Sequence, residues 1–248
     1  MILAIDIGNT NITLGFFKNS RLVERVAFAT AAGQYFSFLK KSFNKYPVDK
    51  IIISSVVPQA AKKLKQALRK LKFNNAFILG ENLLVPIKNK YQSPQQAGQD
   101  RLVNAFAAIK LYGCPAIVAD FGTAVTFDAV SKKGEFLGGM IFPGMEASLS
   151  CLAQKTALLP KINLIGQPKD MIGKNTRDGM ISGMIYGFSS LSDGVIKELK
   201  RELGKNTIAI GTGGNINVIS SHCHEFSVID INLTLKGLKL ILETIKLA

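Results

Sequence analysis

The chain contains 248 residues, of which 47% are hydrophobic and 19% are charged. This composition supplies enough apolar side chains for one large domain or two small ones, and it excludes an intrinsically disordered protein. The formal net charge of +14 is compatible with a nucleic-acid partner, whereas no apolar run approaches the roughly 20 residues that span a bilayer. The acidic Asp6 near the start indicates a strand over residues 1–5 and argues against a signal peptide.

The first part of the chain has the pattern of several strands followed by alternating helices and strands. We predict a hairpin over residues 1–17, a strand over 21–30, a helix over 34–44, a strand over 50–57, a basic helix starting at Pro58, a strand over 75–79, a polar loop over 89–99 and a helix over 100–111. In the basic helix, Leu64, Ala67 and Leu68 follow helical spacing, so its lysines are expected on the outer face.

The second part of the chain repeats this order. We predict strands within 116–130 and over 135–142, helices over 144–155 and 177–203, a strand over 207–210, a turn over 212–215 and a closing helix over 233–247. The segment Gly113-Cys114-Pro115 is the predicted boundary, giving halves 1–114 and 115–248. Each half is expected to be an α/β unit in which helices flank a mixed sheet.

An acidic, glycine-centred signature occurs once in each half. The first copy is Asp6-Ile7-Gly8-Asn9-Thr10, and the second is Asp120-Phe121-Gly122-Thr123-Ala124. In each copy a carboxylate ends an apolar strand, where it could hold a hydrated Mg²⁺, and the following glycine and hydroxyl groups suit phosphate oxygens. The alternative is a simple hairpin turn capped by the aspartate. Two copies in matched surroundings favour one phosphate-binding site built from both.

Four further clusters could carry chemistry, and two of them, 98–101 and 138–144, also have a purely structural interpretation. Asp100 in Gly98-Gln99-Asp100-Arg101 could be a general base beside an arginine that binds carboxylate or phosphate, or only a helix cap. The stretch 138–144 could present amides to an anion or permit close packing, and the stretch 211–215 could leave room for a ring. His222-Cys223-His224 lacks a second ligand pair, so we expect no metal there.

The positive charge and the cysteines give weaker information. Because the cations are spread over helical faces and no nucleic-acid-binding module is recognisable, we expect a solvated basic surface rather than a nucleic-acid partner. Cys114, Cys151 and Cys223 are few, odd in number and widely spaced, which is typical of a reduced cytoplasmic protein.

In chain order, these segments resemble the type III pantothenate kinases. The matching stretches are Asp6–Thr10, Ser54–Pro58, Gly98–Arg101 with Asn104, Asp120–Ala124, Gly138–Gly144, Asn175-Thr176 and Leu235–Leu238. The resemblance implies an actin-like ATPase fold of two ribonuclease-H-like halves with the active site in the cleft between them. It also implies a homodimer whose substrate pocket is completed near the subunit interface.

The resemblance implies the activity and the site as well: ATP-dependent phosphorylation of pantothenate to 4'-phosphopantothenate, the first step of coenzyme A biosynthesis. Asp100 would be the general base, Asp6 would lie near the Mg²⁺ that accompanies ATP, and Asp120 would bind a monovalent cation, K⁺ or NH₄⁺. The residues implied to bind ATP are Asp6, Ile7, Gly8, Asn9, Thr10, Asn11, Ile12, Thr13 and Thr123. Those implied to bind pantothenate are Tyr91, Gly98, Gln99, Asp100, Arg101 and Thr176.

Two alternatives remain at the level of sequence. One is a regulatory protein without catalytic activity on the same fold, because the family is similar to an accessory factor linked to gene expression and fold alone does not assign function. The other is a basic nucleic-acid-binding protein, suggested by the net charge. The presence of Asp6, Asp100-Arg101 and Asp120 together favours the enzyme.

Overall fold

The computed structural model describes residues 1–73, 76–164, 166, 168 and 170–245. Its strands and helices are, in chain order, β1 (Ile2–Ile7), β2 (Asn11–Lys18), β3 (Arg21–Ala29), α1 (Tyr35–Lys45), β4 (Lys50–Ser55), α2 (Pro58–Lys70), β5 (Ala76–Ile78), β6 (Lys88–Asn89), α3 (Gln99–Tyr112), β7 (Ala116–Phe121), β8 (Ala124–Val130), β9 (Glu135–Pro143), α4 (Met145–Lys155), α5 (Thr176–Leu203), β10 (Ile208–Thr212), α6 (Ile216–Ile219), β11 (Val228–Ile229) and α7 (Leu233–Thr244).

The predicted elements are present, with ends that shift by a few residues. The loop predicted over 89–99 contains the end of β6 and a short 3₁₀ helix, Pro94–Gln96, and α3 already begins at Gln99. Thr212, predicted to start a turn, is the last residue of β10 because it pairs with the neighbouring strand β7. The predicted strand start at Asn75 and the predicted helix end at Leu247 lie outside the described residues.

Backbone packing divides the chain into two compact units. Unit 1 comprises Met1–Ile87, Ser93–Ala107 and the segment from Leu233 onward, and unit 2 comprises Lys88–Gln92 and Ala108–Asn232. The units differ from the halves 1–114 and 115–248 because α7 packs on the sheet of unit 1, against β1, β2 and β4. Where the two halves of a duplication meet along the chain stays a prediction.

The sheets of the two units share a five-strand order, and the sheet of unit 2 has β6 as a sixth strand that pairs with β9. The sheet of unit 1 has the order β3-β2-β1-β4-β5, and that of unit 2, read from its other edge, has β6-β9-β8-β7-β10-β11. In unit 1, β2 is antiparallel to its neighbours β1 and β3, and β4 and β5 run parallel to β1. In unit 2, β8 is antiparallel to its neighbours β7 and β9, and β10 and β11 run parallel to β7. The prediction of an α/β protein with two duplicated mixed sheets is therefore confirmed.

Successive residues along a strand point to opposite faces of the sheet, and in unit 1 each face packs against different helices. Leu3, Ile5 and Ile7 of β1 are fully buried in a cluster that includes Leu39 of α1 and Leu64 of α2. The other face of β1 packs against α7. In unit 2, the equivalent cluster joins β7 and β8 to α4, α5 and α6, with members Ile117, Ala119, Phe121, Val125, Phe127, Met145, Ile196, Leu199, Ile216 and Ile219.

The basic helix α2 has the predicted amphipathic form. Ala60, Leu64 and Leu68 are buried, whereas Lys62 and Lys63 are exposed. Its cations therefore lie on a solvated face, as expected for a surface helix. Of the helices that the structure describes, none combines the length and the apolar character needed to cross a bilayer.

Gly237 allows α7 to approach α3 closely within unit 1, and its substitution should destabilise the fold. A Cβ at Gly237 would lie 2.8 Å from both Cγ1 and the carbonyl oxygen of Val103. We expect Gly237→Ala to lower the free energy of unfolding by about 1–3 kcal/mol, because the two helices must move apart. Urea denaturation followed by circular dichroism measures this change.

The matched control is Gly194→Ala in the middle of α5. Gly194 is exposed, and a Cβ there would meet nothing within 4 Å. Because alanine has the higher helix propensity, this variant should be more stable by up to about 1 kcal/mol. Equal effects of the two substitutions would contradict the close approach of α7 and α3.

Candidate active site

Asp6 lies near the carboxyl end of β1, in the middle of a row of three polar side chains. It pairs with Thr13 of β2 in antiparallel register and with Ser54 of β4 in parallel register. Directly paired residues project from the same face of a sheet. That face is the one covered by α7, where a Cβ on Gly15 would come within 2.9 Å of Leu235. The row therefore combines one carboxylate with two hydroxyl groups.

The turn that follows β1 is held firmly at its base and exposed at its tip. Gly8 N donates a hydrogen bond to the Asn11 carbonyl over 2.9 Å, and Thr30 Oγ1 donates to the Gly8 carbonyl over 2.7 Å. Asn9, Thr10 and Asn11 are exposed. An anchored turn with solvent-facing polar groups beside a carboxylate is suited to binding phosphate oxygens.

Unit 2 contains the same kind of row around Asp120. Asp120 pairs with Thr126 of β8 in antiparallel register and with Thr212 of β10 in parallel register. The following turn is one residue shorter than its counterpart, because Phe121 pairs with Val125. Sequence comparison of the two signatures could not detect the second hydroxyl of each row, because β4 and β10 are distant from them along the chain.

The turn after β7 is supported by the glycine-rich stretch at the end of β9. Thr123 is exposed, and its carbonyl accepts a hydrogen bond from Gly144 N over 3.1 Å. A Cβ at Gly144 would lie 2.6 Å from the Gly122 carbonyl oxygen, and one at Gly139 would overlap the Phe127 carbonyl. The structure therefore supports the close-packing interpretation of 138–144, most of which belongs to β9 and not to a loop.

Gly213 leaves space for the Asp120 carboxylate. Its φ is 94°, and a Cβ there would lie 2.5 Å from Asp120 Oδ1 and from Phe121 N. Within the stretch 211–215, the missing side chain of Gly213 thus leaves room for a candidate ligand oxygen of Asp120.

Substituting Gly213 should therefore disturb both the fold and the surroundings of Asp120. We expect Gly213→Ala to lower the free energy of unfolding by about 1–3 kcal/mol, because alanine rarely adopts a positive φ. Gly214→Ala is the control, since a Cβ on Gly214 would meet nothing within 4 Å. Thermal unfolding of the two variants, recorded side by side, measures the difference. Equal melting temperatures would contradict the close contact between Gly213 and Asp120.

Asp100 lies in the first turn of α3, folded back over Gly98. A Cβ on Gly98 would be 2.5 Å from Asp100 Oδ1, and Arg101 N donates a hydrogen bond to the same oxygen over 2.8 Å. Burial raises the pKa of Asp100 above its usual value, and the hydrogen bond from the Arg101 amide and the charge of Arg101 oppose this rise only in part. The carboxylate is fixed in position and more basic than an ordinary aspartate.

The other predicted substrate residues are distributed over both units. Gly98, Gln99, Asp100 and Arg101 lie together in unit 1 with the turn that follows β1; Arg101 is 7% exposed. Tyr91 belongs to unit 2, where its ring stacks on Phe136 with centroids 5.6 Å apart. Thr176, Thr123 and Asp120 belong to the same unit, and Thr176 is the exposed first residue of α5.

The segment His222-Cys223-His224 is used in packing. The backbone N–H groups of His224 and Glu225 donate to the buried Asp193 carboxylate, with a His224 N to Asp193 Oδ1 distance of 2.9 Å. Burial raises the pKa of the Cys223 thiol to about 11. Within the described ranges, three or more His, Cys, Asp or Glu side chains never group in a way that could hold a metal ion.

The two polar rows nevertheless offer ligands of the type that hard cations prefer. Mg²⁺ is commonly held by one or two carboxylates and by waters that bind to neighbouring oxygens. The Asp6 row fits this pattern, and Ser54 Oγ, which is buried without a hydrogen-bond partner, shows that the row has unused hydrogen-bonding capacity. The Asp120 row provides an equivalent set of oxygen atoms.

Comparison with solved structures identifies the fold. A protein of Campylobacter jejuni assigned to the Baf family of transcriptional activators is 21% identical and matches with a TM-score of 0.63, covering 99% of this chain and 100% of the other. MreB5 of Spiroplasma citri bound to ADP is 13% identical, with a TM-score of 0.55 and coverage of 99% and 97%. At these identities the similarity establishes the fold alone, which is that of the actin-like ATPases and sugar kinases.

Comparison of sequences identifies the family. A type III pantothenate kinase of Sulfurihydrogenibium sp. is 42% identical over 247 residues, which cover 96% of this chain and 98% of the relative. The family model described as type III pantothenate kinase matches residues 2–198. These matches favour the enzyme over a regulatory protein on the same fold. The chain belongs to the type III pantothenate kinase family.

Proposed function

We propose that this protein transfers the γ-phosphoryl group of ATP to the primary hydroxyl of pantothenate, with Asp100 as the general base. Membership of the type III pantothenate kinases makes it an ATP-dependent kinase of coenzyme A biosynthesis that uses a divalent metal. The observation that carries the proposed mechanism is the buried, conformationally fixed carboxylate of Asp100 with its raised pKa.

Asp100 has the properties that a general base requires. A base works best when its pKa approaches the working pH while it remains deprotonated, and burial shifts the pKa of Asp100 in that direction. Because Gly98 has no side chain, it does not clash with the Asp100 carboxylate, and the Arg101 amide donates a hydrogen bond to Oδ1 of that carboxylate. In the proposed reaction this carboxylate would take the proton of the pantothenate hydroxyl.

The turn after β1 would hold the phosphates of ATP. Its polar groups at Gly8, Asn9, Thr10 and Asn11 lie beside Asp6, and Thr123 offers another exposed hydroxyl. Phosphoryl transfer depends mainly on positioning and on neutralisation of charge. Mg²⁺, when bound near Asp6, would supply that neutralisation at the phosphates.

The Asp120 row would hold a monovalent cation, K⁺ or NH₄⁺. Asp120 is placed between two threonines in the sheet register, and Gly213 leaves room beside its carboxylate. A cation there, when bound, would offset additional phosphate charge. This assignment is supported by the oxygen-rich surroundings of Asp120.

The pantothenate site would be built around Arg101. Arg101 is suited to the carboxylate of pantothenate because its planar guanidinium can donate two parallel hydrogen bonds. Gly98, Gln99, Tyr91 and Thr176 would complete the lining. We also infer that the protein is a cytoplasmic homodimer, in line with its free cysteines Cys114, Cys151 and Cys223 and with the family resemblance.

A coupled assay of ADP release tests the proposed function. With ATP, Mg²⁺, K⁺ and pantothenate, the protein should release ADP at a rate that depends on pantothenate concentration. Reactions without pantothenate, or without the protein, are the controls. Folded protein that shows no pantothenate-dependent release would refute the proposal, and salt-sensitive DNA binding with a sequence preference would favour the nucleic-acid alternative instead.

A further inference from the structure

A buried hydroxyl without a partner lies next to the proposed site. Within the described part of the chain, three buried side-chain polar atoms lack a hydrogen-bond partner: Ser54 Oγ, Gln99 Oε1 and Asn232 Oδ1. Ser54 is the most deeply enclosed of these residues, since it is 0% exposed. Buried polar groups are normally paired, so an unpaired one calls for an explanation.

The position of Ser54 in the sheet suggests its partner. Ser54 of β4 is directly opposite Asp6 of β1 in parallel register. Adjacent strands are about 4.8 Å apart, so paired side chains on one face are within reach of each other after rotation about χ1. Neighbouring positions on this face are the apolar Ala4 and Ile52, which offer no side-chain acceptor. Asp6 provides the side-chain acceptor nearest in register.

The second unit carries the same arrangement independently. Thr212 of β10 is directly opposite Asp120 of β7 in parallel register, and it is 1% exposed. Both units thus place a buried hydroxyl beside the carboxylate, on the neighbouring parallel strand and not on the antiparallel strand of the hairpin. The sheet itself does not require a polar residue at this buried position, because an apolar side chain would fill it without the cost of burying a polar group. The hydroxyl in both units therefore calls for another explanation.

We propose that Ser54 is a positioning residue for Asp6. Its hydroxyl donates a hydrogen bond to one carboxylate oxygen of Asp6 when Mg²⁺ and ATP are bound, and this bond turns the other oxygen toward the metal and its waters. Ser54 touches neither the metal nor the nucleotide, and it acts only through Asp6. The inference rests on the proposed role of Asp6 in holding Mg²⁺ and ATP.

The test is nucleotide binding by Ser54→Ala, measured calorimetrically without pantothenate. We expect the affinity for ATP in the presence of Mg²⁺ to fall by roughly 10- to 100-fold, the usual effect of removing a group that orients a metal ligand. The affinity for ATP in EDTA should remain that of the wild type. The melting temperature without nucleotide should be unchanged or higher, because the substitution removes a buried hydroxyl that has no partner.

Ser55→Ala is the matched control on the same strand. Ser55 projects from the opposite face, and its Oγ accepts a hydrogen bond from Val57 N over 3.1 Å. This variant should have a lower melting temperature and the same affinity for ATP with Mg²⁺. Ser54→Thr, which copies the residue at the equivalent position in unit 2, should retain the affinity of the wild type.

The outcomes separate this inference from the proposed function. If the wild type and Ser54→Ala bind ATP equally with Mg²⁺, the role of Ser54 is refuted and the kinase function stands. If Ser54→Ala loses affinity equally with Mg²⁺ and in EDTA, Ser54 has a merely structural role, and the inference is again refuted. If the wild type does not bind ATP at all, the inference and the proposed function fail together.

Discussion

The substitution Asp100→Asn is expected to lower kcat by roughly 10²- to 10⁴-fold, the usual contribution of a general base. Asparagine keeps the shape of the side chain and an oxygen that can accept the hydrogen bond from Arg101 N, which measures 2.8 Å in the wild type. It cannot take a proton from the hydroxyl of the substrate. Steady-state kinetics together with calorimetric ATP binding measure the two effects, and ATP binding should persist.

The same variant should not lose stability at neutral pH. The pKa of Asp100 is higher in the folded protein than in the unfolded chain, so its ionised form costs folding free energy once the pH exceeds the unfolded pKa. Asp100→Asn removes this cost. Its free energy of unfolding should equal or exceed that of the wild type at neutral pH, and this advantage should vanish as the pH falls below the unfolded pKa.

The pH dependence of catalysis provides a further check on Asp100. Because the base must be deprotonated, kcat/KM of the wild type should fall as the pH decreases through the raised pKa of Asp100. The residual activity of Asp100→Asn should lack this acid limb. An unchanged kcat in the variant, or an acid limb that persists, would remove Asp100 from the role of base.

Replacement of K⁺ by Na⁺ is expected to lower turnover by roughly 10²-fold, a loss comparable to that of one electrostatic group in an active site. In the proposed site the cation would be held by Asp120 beside Gly213, and Na⁺ differs from K⁺ in size and in the strength with which it holds its hydration shell. Initial rates at constant ionic strength, with each chloride salt in turn, measure the effect.

Asp120→Asn is the companion variant for this experiment. It should be slow in K⁺, NH₄⁺ and Na⁺ alike, because it lacks the charge that holds the cation. Equal rates of the wild type in all three salts would refute the cation site. A variant that still distinguishes K⁺ from Na⁺ would show that the cation binds elsewhere.

Local sequence patterns predict most of the longer strands and helices to within a few residues, whereas the short elements β6, α6 and β11 were not predicted. The helical spacing in α2 reflects one apolar face, which sets the period of its pattern. β1 is buried on both faces, and the sequence indicates it by a continuous apolar run. The position of α7 was not predictable in the same way. The resemblance between the two parts of the chain indicates two successive halves, whereas α7 packs on β1, which lies far away in sequence.

In the candidate site, too, contacts between segments that are distant in sequence were not predictable. Asp6 and Asp120 were recognised because each stands in a short local signature, and Asp100 because it begins a helix behind a glycine. Ser54 lies in the matching stretch Ser54–Pro58 and Thr212 in the stretch 211–215, but neither stretch indicates a link to an aspartate. Their relation to the two aspartates arises only from the register of parallel strands, which a single sequence does not reveal. Likewise, the contact of Gly213 with Asp120 depends on backbone geometry after β10.

The most direct test of the central claim is mass spectrometry of pantothenate after incubation with the protein, ATP, Mg²⁺ and K⁺. The wild type should convert pantothenate into a product that carries one additional phosphoryl group, in amounts equal to the ADP formed. Asp100→Asn, at the same concentration and equally folded, should yield almost none. Unmodified pantothenate after incubation with folded, ATP-binding wild-type protein would contradict the account.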